Sequence, residues 1–128
     1  MPWSYRYDAQ LDTFFYTGSG TVTENDLVSG LAARTAELLL HPNARVFHDY
    51  SEVTEIKVPS ETFIKLAEKD PGRLHLLRRA ILVESPTVAG IVRFIHSRDM
   101  QGELKVFYDR GSALRWLNEG MPPEKQIT

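Results

Sequence analysis

The sequence predicts an α/β fold, which is a mostly parallel sheet of about five strands with four helices. Its first element is an N-terminal antiparallel hairpin. Two observations predict it. Runs rich in aromatic residues and threonine open the chain, and short apolar runs then alternate with stretches of helical periodicity. Strands that alternate with helices imply βαβ crossovers, which make neighbouring strands parallel.

The hairpin comes first in the chain. Residues 3–8 (WSYRYD) and 11–17 (LDTFFYT) carry the aromatic residues and threonines that favour strands, and Ala9-Gln10 is short enough to connect them. The GSG run at 18–20 is expected to bend or interrupt the second strand as a bulge or turn. Such a hairpin places an antiparallel strand at or near one edge of the sheet.

The later elements alternate between strand and helix. Three further strands are predicted as short apolar runs, at 44–49, 79–84 and 103–108. Four helices are predicted behind capping or helix-starting residues, namely Thr23, Pro59, Ser85 and Asp109. We expect a single domain over residues 1–120 and a flexible C-terminal tail over 121–128.

Composition limits the classes of function. The chain has 128 residues, 42% of them apolar and 25% charged, which is typical of one globular domain. It has no cysteine, which excludes thiol catalysis and iron–sulfur clusters and suits a reducing compartment. A net charge of −2 gives no bulk attraction to nucleic acid. The apolar runs are too short to span a membrane and no signal region opens the chain, so we predict a soluble cytoplasmic protein.

Polar side chains gather where the predicted strands end. In an open α/β sheet, ligands bind in the crevice outside the carboxyl ends of the strands. The candidate partner-binding or ligand-binding residues are therefore Asp49, Ser51, Thr54, Ser60, Ser85 and Thr87. Each has a structural alternative, since hydroxyl and carboxylate side chains before a helix act as caps and an Asp in a loop forms an Asx-turn.

Catalytic and metal-binding patterns are weak. His48, Asp49 and Ser51 have the residue types of a catalytic triad, but successive strand residues point to opposite faces, so His48 and Asp49 cannot easily meet. The four histidines include no pair spaced to place two metal ligands on one helical face. We therefore predict no catalytic residue, no metal and no cofactor. An enzyme that uses Asp49 or Glu84 as a base is kept as a third hypothesis.

Three stretches in this order, FFYTGSGTVTENDL, ARVFHDYSEV and KVFYDRGSALRWL, resemble the STAS/SpoIIAA-like group, whose fold is that of bacterial anti-sigma factor antagonists. The chain is similar also to uncharacterised bacterial STAS/SEC14-like proteins of comparable length. The resemblance covers nearly the whole chain. It implies a SpoIIAA-like fold and a bacterial protein that binds other proteins without catalysing a reaction.

In STAS antagonists a strand ends in D-L-S-x-V and continues to I-D-S-S-G, where a partner kinase phosphorylates a hydroxyl and switches binding off. Asp49, Ser51, Val53 and Ile56 match the first part. At the phospho-acceptor the chain has Lys57-Val58-Pro59-Ser60 instead, so the switch motif is degenerate. Ser60 is the nearest hydroxyl.

Two functions follow from the resemblance. The first is a non-enzymatic regulatory or interaction module that binds a protein partner or itself, as a homodimer. The alternative is a small-ligand or lipid-binding domain of SEC14-like type, which takes an apolar or anionic ligand. Its apolar cavity would lie beneath the helix at 59–69, with Asp49, Ser51 and Thr54 at the rim. Fold resemblance alone does not choose between them.

Overall fold

The computed structural model describes residues 3–26, 29, 40–59, 61, 62, 65, 78–96 and 103–128. Five strands form one sheet in the order β1-β2-β3-β4-β5. The strands are β1 (Trp3–Asp8), β2 (Thr13–Thr23), β3 (Arg45–Lys57), β4 (Arg78–Val83) and β5 (Glu103–Phe107). β1 runs antiparallel to β2 and all other pairs are parallel, which confirms the predicted sheet and hairpin.

Two of the four predicted helices are described in full, as α1 (Pro86–His96) and α2 (Arg110–Asn118). The first predicted helix begins as expected: residues 24–26 are helical, Thr23 Oγ1 accepts the Asp26 N–H, and Asp26 accepts the Thr23 N–H. Most of that helix, and of the one predicted from Pro59, lies outside the described residues. Within the described chain, no helix combines the length and apolarity needed to cross a membrane.

The two helices cover opposite faces of the sheet. Alternate residues of β4 point to opposite faces, so Ile81 and Val83 pack with Val88 of α1, whereas Ala80 and Leu82 pack with Leu117 of α2. We call these the α1 face and the α2 face. Because strand β4 is buried on both faces, it reads in the sequence as a continuous apolar run.

Strand β3 is longer than the predicted 44–49 and runs to Lys57, so the stretch expected to be a loop is paired strand. Between Thr17↔Asp49 and Thr23↔Lys57 the register shifts twice, at Thr17/Ser19 and at Gly20/Thr21, because β3 carries extra residues. The two bulges keep Tyr50, Val53 and Ile56 on the α1 face although they are spaced by three. The GSG run is thus a bulge region, as predicted, but it does not end β2.

Gly20 has a φ of +66°, in the left-handed region, at the second of these register shifts. A Cβ built on Gly20 or on Gly90, which lies inside α1, meets no atom within 4 Å. The two positions therefore differ in backbone conformation and not in available space.

We predict opposite effects of alanine at these two glycines. Gly20→Ala should lower the free energy of unfolding by about 1 kcal/mol because an L-residue is strained at positive φ. Gly90→Ala should raise it by about 0.5–1 kcal/mol because alanine is the better helix former. Urea denaturation of both variants measures the change in the free energy of unfolding. Changes of the same sign and size in the two variants would contradict the assignment of the bulge.

Arg45 is a buried cation that joins four parts of the chain. Its side chain is 3% exposed. Nη1 donates to the Leu117 carbonyl at 3.1 Å and to Asn118 Oδ1 at 3.2 Å, both at the end of α2. Nη2 donates to the carbonyls of Leu11 at 3.0 Å and Lys125 at 2.6 Å. Burial lowers the pKa of the guanidinium, and the negative charge of Asp12 opposes that shift.

Residues 121–128, for which the sequence predicts a flexible tail, are docked in the structure. Ile127 is 5% exposed and belongs to the apolar cluster of the α2 face. Asn118 holds it on both sides, since Oδ1 accepts the Ile127 N–H at 2.7 Å and Nδ2 donates to the Ile127 carbonyl at 2.9 Å. A short 3-10 turn, Pro123–Lys125, places the Lys125 carbonyl against Arg45.

We predict that Arg45→Met lowers the free energy of unfolding by about 3 kcal/mol because it leaves buried carbonyl oxygens without hydrogen-bond donors. The matched control is Arg115→Met. Arg115 is exposed and its Nη2 donates to Ser112 Oγ at 3.1 Å on the protein surface, so its loss should change stability by less than about 0.5 kcal/mol. Urea denaturation with comparison of midpoints checks both values. A loss for Arg45→Met no larger than that of the control would contradict the central role of Arg45.

Candidate functional site

Asp49 and Ser51 form one polar group on the α2 face. The Asp49 Oδ1 atom accepts the Ser51 hydroxyl at 2.6 Å and the Ser51 N–H at 3.1 Å. This is the Asx-type bonding expected of Asp49, but it lies within β3 and not in a loop. Both side chains are partly exposed. The result is a carboxylate held in a fixed orientation at the level where β4 ends, since Tyr50 pairs with Val83.

Arg110 completes this group from the start of α2. Its Nη1 lies 3.6 Å from Asp49 Oδ2, and its guanidinium carbon lies 5.0 Å from the centroid of the Phe47 ring. The side chain of Arg110 is 55% exposed, so the ion pair contributes at most about 1 kcal/mol to stability. The contact joins a side chain from within β3 to one at the start of α2, which follows β5. We call Asp49, Ser51 and Arg110 the Asp49 cluster.

Asp109 caps α2, as predicted, and does not join the Asp49 cluster. Its Oδ2 accepts both the N–H and the hydroxyl of Ser112 at 2.9 Å. These hydrogen bonds, that from the backbone N–H first, lower the pKa of the Asp109 carboxyl. The cap fixes the first turn of α2 and thereby the position from which Arg110 reaches Asp49.

The other candidate residues lie apart from the Asp49 cluster. Ser85 precedes α1 and its Oγ accepts the Val88 N–H at 3.4 Å, which agrees with a cap. Thr87 is exposed in the first turn of α1, on the opposite face of the sheet. Thr54 is exposed in the bulged part of β3. Ser60 lies outside the described residues.

His48 belongs to a row of rings on the other face of β3. It is 5% exposed, its ring stacks on Tyr16 at 5.2 Å between centroids, and its Nδ1 lies 2.9 Å from the Tyr50 hydroxyl. Tyr16 in turn stacks on Tyr5 at 5.4 Å. The alternation of the strand thus separates His48 from Asp49 and Ser51, and these three residues do not form a triad.

The hairpin carries a second polar contact that the sequence reasoning missed. The Tyr7 hydroxyl donates to Asp12 Oδ1 at 2.5 Å, and its ring stacks on His41 at 3.8 Å between centroids. Desolvation, followed by the hydrogen bond to the Asp12 carboxylate, raises the pKa of Tyr7 to about 12. Asp12 adopts a φ of +46° in the turn, which places its carboxylate beside the strand.

We predict a late tyrosine titration that belongs to Tyr7. Because the pKa is raised from the ordinary value of 10.0 to about 12, the stability that the neutral hydroxyl supplies is complete below pH 10 and lost as pH rises towards 12. Absorbance titration should show that Tyr7→Phe forms about one tyrosinate fewer near pH 12 than the wild type. Tyr108→Phe, at an exposed residue, should keep the wild-type amplitude near pH 12. An unchanged amplitude near pH 12 in Tyr7→Phe would exclude the assignment.

Within the residues that the structure describes, no group of three or more histidine, aspartate or glutamate side chains could hold a metal ion. The Asp49 cluster instead combines a carboxylate, a hydroxyl and a guanidinium, which can donate and accept hydrogen bonds at a protein or anion surface.

Comparison with solved structures finds the same fold in another protein. A crystal structure of an uncharacterised protein of the DUF3478 family from Shewanella loihica, which has a SpoIIAA-like fold, superposes with a TM-score of 0.64. The two sequences are 20% identical, and the match covers 90% of this chain and 91% of that chain. No family model and no curated protein matches the sequence. The chain therefore has a SpoIIAA-like fold, as the sequence resemblance implied.

Proposed function

We propose that the chain is a non-enzymatic interaction module of STAS-like type, which binds a protein partner through the surface around the Asp49 cluster. The observation that supports this most is the SpoIIAA-like fold over nine-tenths of the chain. In the sequence, the D-x-S-x-V pattern of the STAS strand falls on Asp49, Ser51 and Val53. The cluster thus lies where the resemblance implies a binding surface.

The contacts of Asp49 suit recognition of a partner surface. One carboxylate oxygen accepts two hydrogen bonds from Ser51, and the other lies 3.6 Å from Arg110 Nη1, beyond hydrogen-bond distance. That second oxygen can accept from a donor on a partner, and the exposed guanidinium beside it can donate to an acceptor.

We expect Asp49→Ala to weaken partner binding by about tenfold or more, since a truncated charge at an interface leaves its counterpart unpaired. The experiment is affinity capture from an extract of the source organism, followed by Kd measurement with the purified partner. Glu124→Ala, which removes an exposed carboxylate of the C-terminal segment, should bind like the wild type. Thermal unfolding confirms that both variants are folded.

Two outcomes would contradict the proposal. One is a wild-type chain that retains no specific partner. The other is a partner that binds Asp49→Ala and the wild type equally. Native mass spectrometry of the freshly purified chain distinguishes protein binding from the ligand-binding alternative. A bound acyl chain or small anion, with no protein partner, would favour ligand binding. The cavity it requires would lie beneath the helix predicted at 59–69, of which the structure describes only residues 59, 61, 62 and 65.

A further inference from the structure

Strand β1 is an edge strand of the sheet. It stands first in the strand order, and among the described residues it pairs with β2 alone. Ser4, Tyr5 and Arg6 are exposed along it, and Tyr5 remains 42% exposed. An edge strand offers backbone N–H and C=O groups that can pair with another strand.

We propose that β1 pairs antiparallel with β1 of a second copy of this chain, about a twofold axis at Tyr5, so that two sheets join into one. The inference goes beyond the proposed function, since the second copy would pair at the edge strand β1 and not at the Asp49 cluster. A twofold contact of this kind requires a strand that is complementary to itself.

The sequence of β1 selects the register. Residues opposite each other in a sheet share a face, so odd-numbered residues can pair only with odd-numbered ones. With the axis at Tyr5, this residue faces the partner's Tyr5 and Ser4 faces the partner's Arg6. With the axis at Arg6, two guanidiniums would lie opposite each other, which is unfavourable. With the axis at Ser4 or at Tyr7, only three residues of β1 would be paired, against five with the axis at Tyr5.

The side chains near the axis already have fixed positions. The Tyr5 ring stacks on Tyr16 with an angle of 24° between the ring planes, and its outer part is exposed. On the other face, the Arg6 guanidinium carbon lies 4.1 Å from the centroid of the Phe15 ring, and its side chain is 65% exposed. Pairing would therefore bring the Tyr5 rings of the two copies together and place the partner's Ser4 hydroxyl opposite the Arg6 guanidinium.

The size of the contact sets the expected strength. A pairing over one short strand buries less area than a standard stable interface, so we expect a reversible dimer with a Kd on the order of micromolar. Sedimentation velocity of the wild type should show a dimer fraction that rises with concentration. Tyr5→Lys should be monomeric because it places two like charges opposite each other at the axis. Tyr108→Lys, at a tyrosine that is 53% exposed outside β1, should dimerise like the wild type.

Cysteine crosslinking tests the register directly, because the native chain has no cysteine. Directly opposite residues of an antiparallel pair have Cα atoms about 4.5–5.5 Å apart, a distance that a disulfide spans. Under mild oxidation, Tyr5→Cys should form disulfide dimers about tenfold faster than Arg6→Cys, whose two copies are offset along the strands. Tyr108→Cys is the control for random collision.

The experiments test pairing through β1 separately from partner binding at the Asp49 cluster. A monomeric wild type at all concentrations, or equal crosslinking of Tyr5→Cys and Tyr108→Cys, would overturn pairing through β1. If Asp49→Ala still loses an independent partner in that case, only this inference fails and the proposed function stands. If Tyr5→Cys crosslinks selectively but no partner depends on Asp49, the dimer stands and the binding surface at Asp49 falls.

Discussion

The buried guanidinium of Arg45 is the contact on which the arrangement of the α2 face depends. Its donors meet neutral oxygens from the first turn, from the end of α2 and from the C-terminal segment. A cation at the end of a helix interacts favourably with the helix dipole and supplies donors for carbonyls that have no partner within the helix. Burying such a charge is costly, and the cost is offset only when all these oxygens are in place together. The segments are thereby held in one arrangement relative to β3.

Arg78, in the neighbouring strand β4, contacts the same C-terminal end of α2. It donates to the Trp116 carbonyl, and its guanidinium carbon lies 4.6 Å from the centroid of the Trp116 ring. At the other end of α2, Asp109 caps the first turn and Arg110 reaches over Phe47 to Asp49. The helix is therefore fixed at both ends by charged groups and in its middle by Ala113 and Leu117. This fixation determines where Arg110 stands in the Asp49 cluster.

The strand and helix order could be predicted from the sequence because it depends on local periodicity. The face-by-face separation of His48 from Asp49 followed from the same alternation. The end of β3 could not be predicted, because its bulges space Tyr50, Val53 and Ile56 by three and hide the period of two that marks a strand. The burial of Arg45 depends on oxygens far away in the chain, so no local pattern indicates it. The docking of the C-terminal segment could not be predicted either, because a single apolar residue, Ile127, is buried in an otherwise polar stretch.

The bulges of β3 also have a consequence for how the length of this chain can vary. In a regular strand, the loss of one residue turns every later side chain to the opposite face. At a bulge, the loss of one residue instead leaves the later side chains on their original faces. Removing Glu52 would restore simple alternation between Tyr50 and Val53, and removing Thr54 would restore it between Val53 and Ile56, so that all three residues stay on the α1 face. Relatives with a shorter β3 are therefore expected to lack residues at these two positions, while the stretch from Arg45 to Asp49 keeps a constant length.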